Sequence, residues 1–279
     1  MSSKPIKFLK MHGTGNDFII IDNMKGDIPS KEKGHEIAKL LCERKFSIGA
    51  DGLIFIEPSS KPHCHFKWRF FNADGSEAQM CGNGGRCAAR FSFINKIAPK
   101  DMVFETIAGE INATVKERIV KLKLPDPQDL RLDIKITLEG KDILLHFINT
   151  GVPHVVIFVD DIDKVDVVSL GKKIRFHEEF SPEGTNVNFV KVVDKNNILI
   201  RTYERGVEDE TMACGTGSVA SSIISALKDK TLSPVNVKTR GGEEIKVYFS
   251  IKDYNIKDVF LEADTTIVYS GYLDGDINI

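Results

Sequence analysis

The sequence predicts an α+β protein in which strands outnumber helices, and two features of the chain support this prediction. Short apolar runs bounded by turn residues are typical of strands, and they occur at 52–56, 66–70, 119–124, 155–159, 198–203 and 244–249. Helical spacing of apolar residues is confined to about 31–45, 83–97 and 216–228, with a shorter helix expected near Ser169.

The composition is that of a globular protein. Of the 279 residues, 42% are hydrophobic and 28% are charged, which allows a core to form without disulfides. The net charge is −2 and no basic stripe is present, so we expect no nucleic-acid partner. No apolar run approaches the roughly 18 residues of a membrane helix, and the first residues alternate like a strand rather than a signal peptide. We therefore expect a cytoplasmic protein whose five cysteines are free thiols.

A short segment of the first half recurs in the second half. The stretch EAQMCGNG at 77–84 returns 133 residues later as ETMACGTG at 210–217. In both copies a strand pattern precedes the cysteine and a helical pattern follows it, so each half predicts a strand, a tight turn, a cysteine and a helix. Pro125-Asp126-Pro127 resists both helix and strand pairing. We therefore predict one domain of residues 1–125, joined by the segment 265–279, and a second of residues 126–264.

Cysteine at the start of a helix has particular chemistry. A helix N-terminus carries unpaired N–H groups and a partial positive charge, and glycines let an anion approach them directly. The same field favours thiolate over thiol, so we expect a lowered pKa for Cys81 and Cys214. A lone Cys-Gly before a helix is more often a buried small side chain beside a turn. The repetition in matching contexts favours the functional interpretation.

Two such thiols fit the inversion of a stereocentre. That reaction through a carbanion requires a base on one face of the carbon and an acid on the other. One deprotonated and one protonated cysteine meet this need and exchange roles in the reverse direction. A substrate carboxylate between two helix N-termini would also be stabilised as negative charge develops on it.

Five sequence blocks occur in the order found in one known family. They are MHGTGNDF at 11–18, FNADGSEAQMCGNGGRC at 71–87, NTGVPH at 149–154, GTNVNF at 184–189, and YERG at 203–206 leading to ACGTG at 213–217. In these blocks the sequence resembles the diaminopimelate epimerase family, and the resemblance runs from end to end.

The resemblance implies two pseudo-symmetric domains, each a β-barrel-like sheet around a central helix. It implies interconversion of LL- and meso-2,6-diaminopimelate on the route to lysine and peptidoglycan precursors, without pyridoxal phosphate, another cofactor or a metal. By matching position, Cys81 and Cys214 are the acid–base pair, and His154 and Glu204 tune them. Family members commonly form homodimers. Substrate contacts are implied for Asn16, Asn72, Gly82, Asn83, Asn186, Glu204, Arg205, Gly215 and Thr216.

The sequence departs from the family pattern at two implied substrate contacts. Val152 stands where members often carry Asn, and Gly52 stands where they often carry Gln. Neither offers a side-chain hydrogen bond, which affects how the distal end of the substrate is held. The stretch 207–211 is also one residue longer than a common version.

Three other functions remain open from the sequence. The first is another two-thiol racemase, acting for example on proline or hydroxyproline, which would not require a second charged end on its substrate. The second is a redox protein in which Cys81 and Cys214 form a switching disulfide, which requires Cα atoms closer than about 7 Å. The third is an amino-acid-binding protein that never exchanges the α-proton.

Several conspicuous residues are given structural roles. His63-Cys64-His65 resembles a metal cluster, but neighbours on a strand point to opposite faces, so we predict a strand edge there and no metal. The repeated glutamates are expected to accept turn or cap hydrogen bonds. Core positions are expected for Cys42 and Cys87.

Overall fold

The computed structural model describes residues 5–273 and divides into two compact units. Unit 1 comprises Met1–Leu122 and Ala263–Ile279, and unit 2 comprises Lys123–Glu262. None of the helices within residues 5–273 combines the length and the apolar character that crossing a membrane requires.

Unit 1 begins with seven strands and two helices. They are β1 (Ile6–Gly13), β2 (Asn16–Asp22), α1 (Ser30–Cys42), β3 (Gly52–Glu57), β4 (Phe66–Asn72), α2 (Gly82–Ile94), β5 (Asp101–Thr106), β6 (Gly109–Lys116) and β7 (Ile119–Lys123).

Unit 2 contains the next nine strands, two helices and two short 3₁₀ turns at Ile162–Lys164 and Glu178–Phe180. Its main elements are β8 (Gln128–Leu138), β9 (Lys141–Asn149), β10 (Pro153–Phe158), α3 (Val167–Arg175), β11 (Asn186–Val192), β12 (Asn197–Glu204), β13 (Asp209–Thr211), α4 (Gly215–Leu227), β14 (Val235–Lys238), β15 (Glu244–Lys252) and β16 (Asn255–Asp264). The chain then returns to unit 1 as β17 (Thr266–Leu273).

The two units repeat one order of strand pairing. In unit 1, β17, β1 and β2 pair antiparallel, β2 pairs parallel with β3, β3 antiparallel with β4, and β4 parallel with β5. In unit 2, β8, β9 and β10 pair antiparallel, β10 pairs parallel with β11, β11 antiparallel with β12, and β12 parallel with β14. Each parallel pair is connected through a helix, as parallel strands require. The internal repeat in the sequence is therefore a repeat of topology.

Each sheet curves around one central helix. Helix α2 contacts β1, β2, β3 and β6, and α4 contacts β9, β10, β11, β12, β14 and β15. Small residues permit this close packing. A Cβ atom at Gly84 would lie 3.3 Å from both Ile54 and Trp68. On α4, Ser218, Ala220, Ser221 and Ser222 are fully buried. The predicted α+β fold, with a sheet around a central helix in each half, is confirmed.

A second helix covers each sheet from outside. Leu41 of α1 is fully buried in a cluster with Leu53, Phe55 and Phe71 of the sheet. Ile174 of α3 is buried in a corresponding cluster in unit 2. The predicted helices and the six predicted strands are all present, with ends that differ from the predicted ones by a few residues.

The core around α2 supports a stability prediction. Phe104 is fully buried, stacks on Phe66 with ring centroids 4.9 Å apart, and lies 5.9 Å from the Trp68 ring. Phe104→Ala leaves a cavity beneath α2 and is expected to lower the free energy of unfolding by about 3–5 kcal/mol. Denaturant titration measures this loss. Phe46→Ala is the control, because Phe46 is 84% exposed and its removal should change stability by less than about 0.5 kcal/mol.

Candidate active site

Cys81 is the N-cap residue of α2. Its backbone is extended, with φ −147° and ψ 118°, and its Sγ accepts a hydrogen bond from the Gly84 N–H at 3.4 Å. Nothing lies within 4 Å of the Cβ position of Gly82, so the first turn of the helix is open to a small anion. The sulfur therefore lies at the positive end of the helix dipole.

Cys214 caps α4 in the same way. Its backbone is extended at φ −125° and ψ 111°, and its Sγ accepts from the Gly217 N–H at 3.4 Å. A Cβ atom at Gly217 would lie 2.3 Å from Asn188 Oδ1 and 3.2 Å from the Cys214 sulfur. The glycine is therefore required for the close approach of these groups. The predicted order of strand, turn, cysteine and helix is confirmed in both copies.

The surroundings of Cys81 present a hydrogen-bond acceptor. Asn16 Oδ1 lies 3.6 Å from Cys81 Sγ and accepts from Asn83 Nδ2 at 3.4 Å. The other side of the Asn16 amide donates to Asp51 Oδ2 at 2.7 Å, which fixes the direction of the amide. Two of the predicted substrate contacts, Asn16 and Asn83, are thus gathered around the thiol of unit 1.

A partly exposed ion cluster holds Asp51 in place behind Asn16. Arg44 Nη2 lies 2.6 Å from Asp17 Oδ1 and 2.9 Å from Asp51 Oδ1, and Lys10 Nζ lies 2.8 Å from Asp17 Oδ2. Burial by itself would raise the pKa of Asp17, but hydrogen bonds from Arg44 and Lys10 outweigh it and lower the pKa. The Asp17 carboxylate therefore stays ionised at neutral pH.

Asn72 and Gly52 face each other at the ends of β4 and β3. The Asn72 amide donates to Ser76 Oγ at 2.9 Å. A Cβ atom at Gly52 would lie 2.5 Å from the Phe70 ring and 2.7 Å from the Phe71 carbonyl oxygen. Gly52, where family members often carry Gln, therefore packs closely against the neighbouring strand β4.

Cys214 is more enclosed than Cys81. The residue is 7% exposed, and Thr216 Oγ1 lies 3.6 Å from its sulfur. Burial raises the pKa of the Cys214 thiol to about 12, and the nearby Glu204 carboxylate adds to this increase. The prediction of a lowered pKa is therefore wrong for Cys214, because burial and the carboxylate outweigh the helix N-terminus. Burial also raises the pKa of Glu204 itself.

His154 contacts the first turn of α4 rather than the sulfur itself. It is fully buried, and its Nε2 lies 2.9 Å from Thr216 Oγ1. Burial, followed by the positive charge of Arg205, lowers the pKa of His154 to about 3, so the ring is neutral at physiological pH. Its Nδ1 lies 3.1 Å from Asn188 Nδ2. Asn188 was not predicted as a site residue; its place in the GTNVNF block, two residues after Asn186, is the signal that could have indicated it.

The Asn186 side chain joins the backbones of Pro153 and Arg205. Asn186 Nδ2 donates to the Pro153 carbonyl oxygen and its Oδ1 accepts from the Arg205 N–H, both at 2.8 Å. The Arg205 guanidinium donates to the Glu183 carbonyl oxygen at 3.2 Å. Unit 2 therefore gathers His154, Asn186, Glu204, Arg205, Cys214, Gly215 and Thr216.

The repeated glutamates bind arginines. Arg69 Nε lies 2.9 Å from Glu77 Oε1 in unit 1, and Arg201 Nε lies 2.7 Å from Glu210 Oε1 in unit 2. Each pair joins a strand to the segment that leads into a cysteine. The turn or cap role expected for these glutamates is replaced by an ion pair with an arginine that precedes Glu77 by 8 residues and Glu210 by 9.

The region of His63-Cys64-His65 differs from the prediction. It is a turn before β4 rather than a strand, so the argument from opposite faces is wrong. Ligand atoms of His63, Cys64 and Glu110 lie within 4.8 Å of one another. The Glu110 carboxylate is already paired with Lys61 at 2.9 Å and with His63 at 3.0 Å, so the geometry is that of an ion-pair cluster. The core positions predicted for Cys42 and Cys87 are confirmed by 2% and 0% exposure.

Comparison with known families agrees with this geometry. The family model for diaminopimelate epimerase matches residues 8–123 and 146–257, one segment in each unit. The chain belongs to the diaminopimelate epimerase family. The diaminopimelate epimerase of Aquifex aeolicus is 46% identical over 98% of this chain and 99% of its own length. The diaminopimelate epimerase of Hydrogenobaculum sp. is 48% identical over 96% of this chain and 98% of its own length.

Solved structures outside the diaminopimelate epimerase family share the fold. A phenazine biosynthesis protein of the PhzF family from Bacillus anthracis is 16% identical, with a TM-score of 0.71 over 97% of this chain and 99% of its own. A hydroxyproline epimerase from Agrobacterium vitis is 13% identical, with a TM-score of 0.68 over 99% of this chain and 94% of its own. At these identities the likeness concerns the fold alone.

The glycines that follow the two cysteines should respond differently to substitution. Gly217→Ala forces a Cβ atom against Asn188 and Cys214 and is expected to lower the free energy of unfolding by about 1–3 kcal/mol. Gly82→Ala meets open space and should leave stability unchanged or slightly increased, because alanine favours helix. Denaturant unfolding of both variants checks this, and an equal loss in the two would contradict the packing described for α4.

Proposed function

We propose that this protein is a diaminopimelate epimerase, which interconverts LL- and meso-2,6-diaminopimelate with Cys81 and Cys214 as the acid–base pair. The proposal needs no pyridoxal phosphate and no metal. One observation carries it: each unit presents a cysteine as the N-cap of a matched helix, in a chain 46% and 48% identical to two diaminopimelate epimerases.

The reaction requires one proton to leave the α-carbon and another to arrive from the opposite face. One sulfur, as thiolate, takes the α-proton, and the electron pair stays on the α-carbon and its carboxylate. The other sulfur, as thiol, donates its proton to the carbanion and becomes the thiolate. The two cysteines exchange roles in the reverse direction, so no net proton is consumed.

The proposed site supplies both binding and charge stabilisation. The N–H groups of the Gly82-Asn83 and Gly215-Thr216 turns are proposed to hold the α-carboxylate, on which negative charge develops. The substrate's α-ammonium would favour a thiolate beside it and would offset the effect of burial on the Cys214 thiol. Glu204 is the acidic partner proposed for that ammonium.

The rest of the substrate is proposed to bind the asparagines and Arg205. Arg205 can bind the distal carboxylate with two parallel hydrogen bonds. Asn16, Asn72 and Asn186 each carry a donor and an acceptor that suit an ammonium beside a carboxylate. Because Val152 and Gly52 offer no side-chain hydrogen bond, we propose that these asparagines and Arg205 bind the distal end of the substrate in this protein.

We further propose a cytoplasmic role in lysine and peptidoglycan precursor biosynthesis, and a homodimer. The surface of unit 1 supports association, because β17 exposes Val268, Tyr269 and Tyr272 at 54%, 44% and 66%. Large apolar side chains that cluster on one exposed strand are common at protein interfaces.

Deuterium incorporation tests the two-thiol reaction. In heavy water the protein should introduce deuterium at the α-carbon of diaminopimelate and invert that carbon. Cys81→Ala and Cys214→Ala should each lower net inversion at least about a hundredfold, since each removes an essential acid or base. Nuclear magnetic resonance of the product measures both events.

Cys87→Ala is the matched control, because Cys87 lies on α2 but is fully buried in the core. It should retain inversion. Full activity in either Cys81→Ala or Cys214→Ala, or a requirement for added pyridoxal phosphate, would reject the mechanism. Inversion of proline in place of diaminopimelate would support the racemase alternative.

Sedimentation equilibrium tests the homodimer. The wild-type protein should have twice the mass of one chain, and Tyr272→Glu should shift it toward the monomer because a charge on β17 opposes burial of that strand. Tyr254→Glu is the control, since Tyr254 is 69% exposed and lies in unit 2. A monomeric wild-type protein at high concentration would exclude the dimer.

A further inference from the structure

Asn188 lies behind the active-site histidine, and its amide direction is fixed by the backbone. It is fully buried on β11, where it pairs in register with Val156 of β10. Its Nδ2 donates to the Val155 carbonyl oxygen at 2.8 Å, and its Oδ1 accepts from the Thr202 hydroxyl at 2.9 Å. A carbonyl oxygen only accepts, so the reverse orientation of the amide would place two acceptors against each other.

The fixed amide determines the tautomer of His154. The second hydrogen of Asn188 Nδ2 faces His154 Nδ1 at 3.1 Å, so Nδ1 must be the acceptor. The neutral ring then carries its proton on Nε2. That proton is directed at Thr216 Oγ1, 2.9 Å away.

This tautomer decides what the Thr216 hydroxyl can do. Because Thr216 Oγ1 accepts from His154, it keeps its own proton for another partner. The Cys214 sulfur lies 3.6 Å from that oxygen. In the opposite tautomer, Nε2 would be a lone pair that takes the Thr216 proton, and a thiolate at Cys214 would lose this donor.

We propose that Asn188 is a positioning residue for Cys214, which acts through His154 to keep the Thr216 hydroxyl proton available to the sulfur whenever that sulfur is a thiolate. The inference rests on the proposed function only in taking Cys214 as a reacting thiol. Each hydrogen bond from the Val155 carbonyl oxygen to the Cys214 sulfur then has a defined direction.

The charges around this chain of hydrogen bonds act in known directions. Arg205 faces His154 and disfavours a proton on it, which together with burial keeps the ring neutral. Glu204 faces Cys214 and opposes the thiolate, whereas the Thr216 hydroxyl and the N–H groups of Thr216 and Gly217 favour it. Asn188 thus keeps the Thr216 hydroxyl available to favour the Cys214 thiolate, which burial and Glu204 disfavour.

The two cysteines differ in this respect. Cys81 faces Asn16 Oδ1, an amide oxygen that can only accept, whereas Cys214 faces a hydroxyl that can donate. The Thr216 hydroxyl supplies to Cys214 what Asn16 cannot supply to Cys81.

Thiol alkylation tests the inference without diaminopimelate. Iodoacetamide reacts with thiolate, and peptide mass spectrometry reports Cys214 and Cys81 separately. At fixed pH, Asn188→Ala and Thr216→Val should each slow Cys214 alkylation about tenfold, the effect of one hydrogen bond to a charged group. The double variant should be no slower than either single one, because both remove the same donor. Thr216→Ser keeps the hydroxyl and should retain the wild-type rate, and the Cys81 rate should stay constant throughout.

A purely structural role for Asn188 predicts the opposite result, because loosening the core admits the reagent and speeds Cys214 alkylation. An unchanged or increased rate in Asn188→Ala, or additive effects in the double variant, would overturn the proposal.

Nitrogen-15 resonance of His154 in the wild-type protein gives a second test that needs no variant. The proton is expected on Nε2, and a protonated Nδ1 would refute the mechanism. If the wild-type protein introduced no deuterium at the α-carbon of diaminopimelate, that result would count against the proposed function and not against the role of Asn188.

Discussion

The hydrogen bond from a helix N–H group to a cysteine sulfur is the contact on which both halves of this structure depend. In each unit the cysteine is the N-cap, and the N–H three residues later donates to its sulfur at 3.4 Å. This contact fixes the sulfur at the positive end of the helix and leaves the first N–H groups for an anion. The curved sheets around α2 and α4 hold these helix ends in place.

The surroundings of the two sulfurs differ although the two helices match. Asn16 presents an acceptor to Cys81, held by Asp51 and the ion cluster behind it. Thr216 presents a hydroxyl to Cys214, held by His154. The proposed acid–base pair needs thiols that are equivalent in both directions, but each thiol must also be stabilised in its own surroundings. The repeated fold places both cysteines at equivalent N-cap positions, and the different side chains around them give each sulfur its own hydrogen-bond partner.

Burial has two opposite effects in unit 2. It raises the pKa of Cys214 and of Glu204, which disfavours their charged forms, and it lowers the pKa of His154, which keeps that ring neutral. A neutral imidazole has one donor and one acceptor, so it can orient a hydroxyl. The burial that disfavours the Cys214 thiolate therefore also keeps His154 neutral, and a neutral His154 can orient the Thr216 hydroxyl toward the sulfur.

The sequence alone determined the elements and the two caps, because these depend on local spacing. Apolar periodicity gave the helices and strands to within a few residues, and Cys-Gly-x-Gly before a small-residue pattern gave both helix starts. Only the tertiary structure decided which side chains meet these caps. Asn188 reaches His154 because parallel strands β10 and β11 pair in one register, and Asn16 reaches Cys81 from 65 residues earlier in the chain. Such contacts join residues far apart in the chain, so no local pattern encodes them.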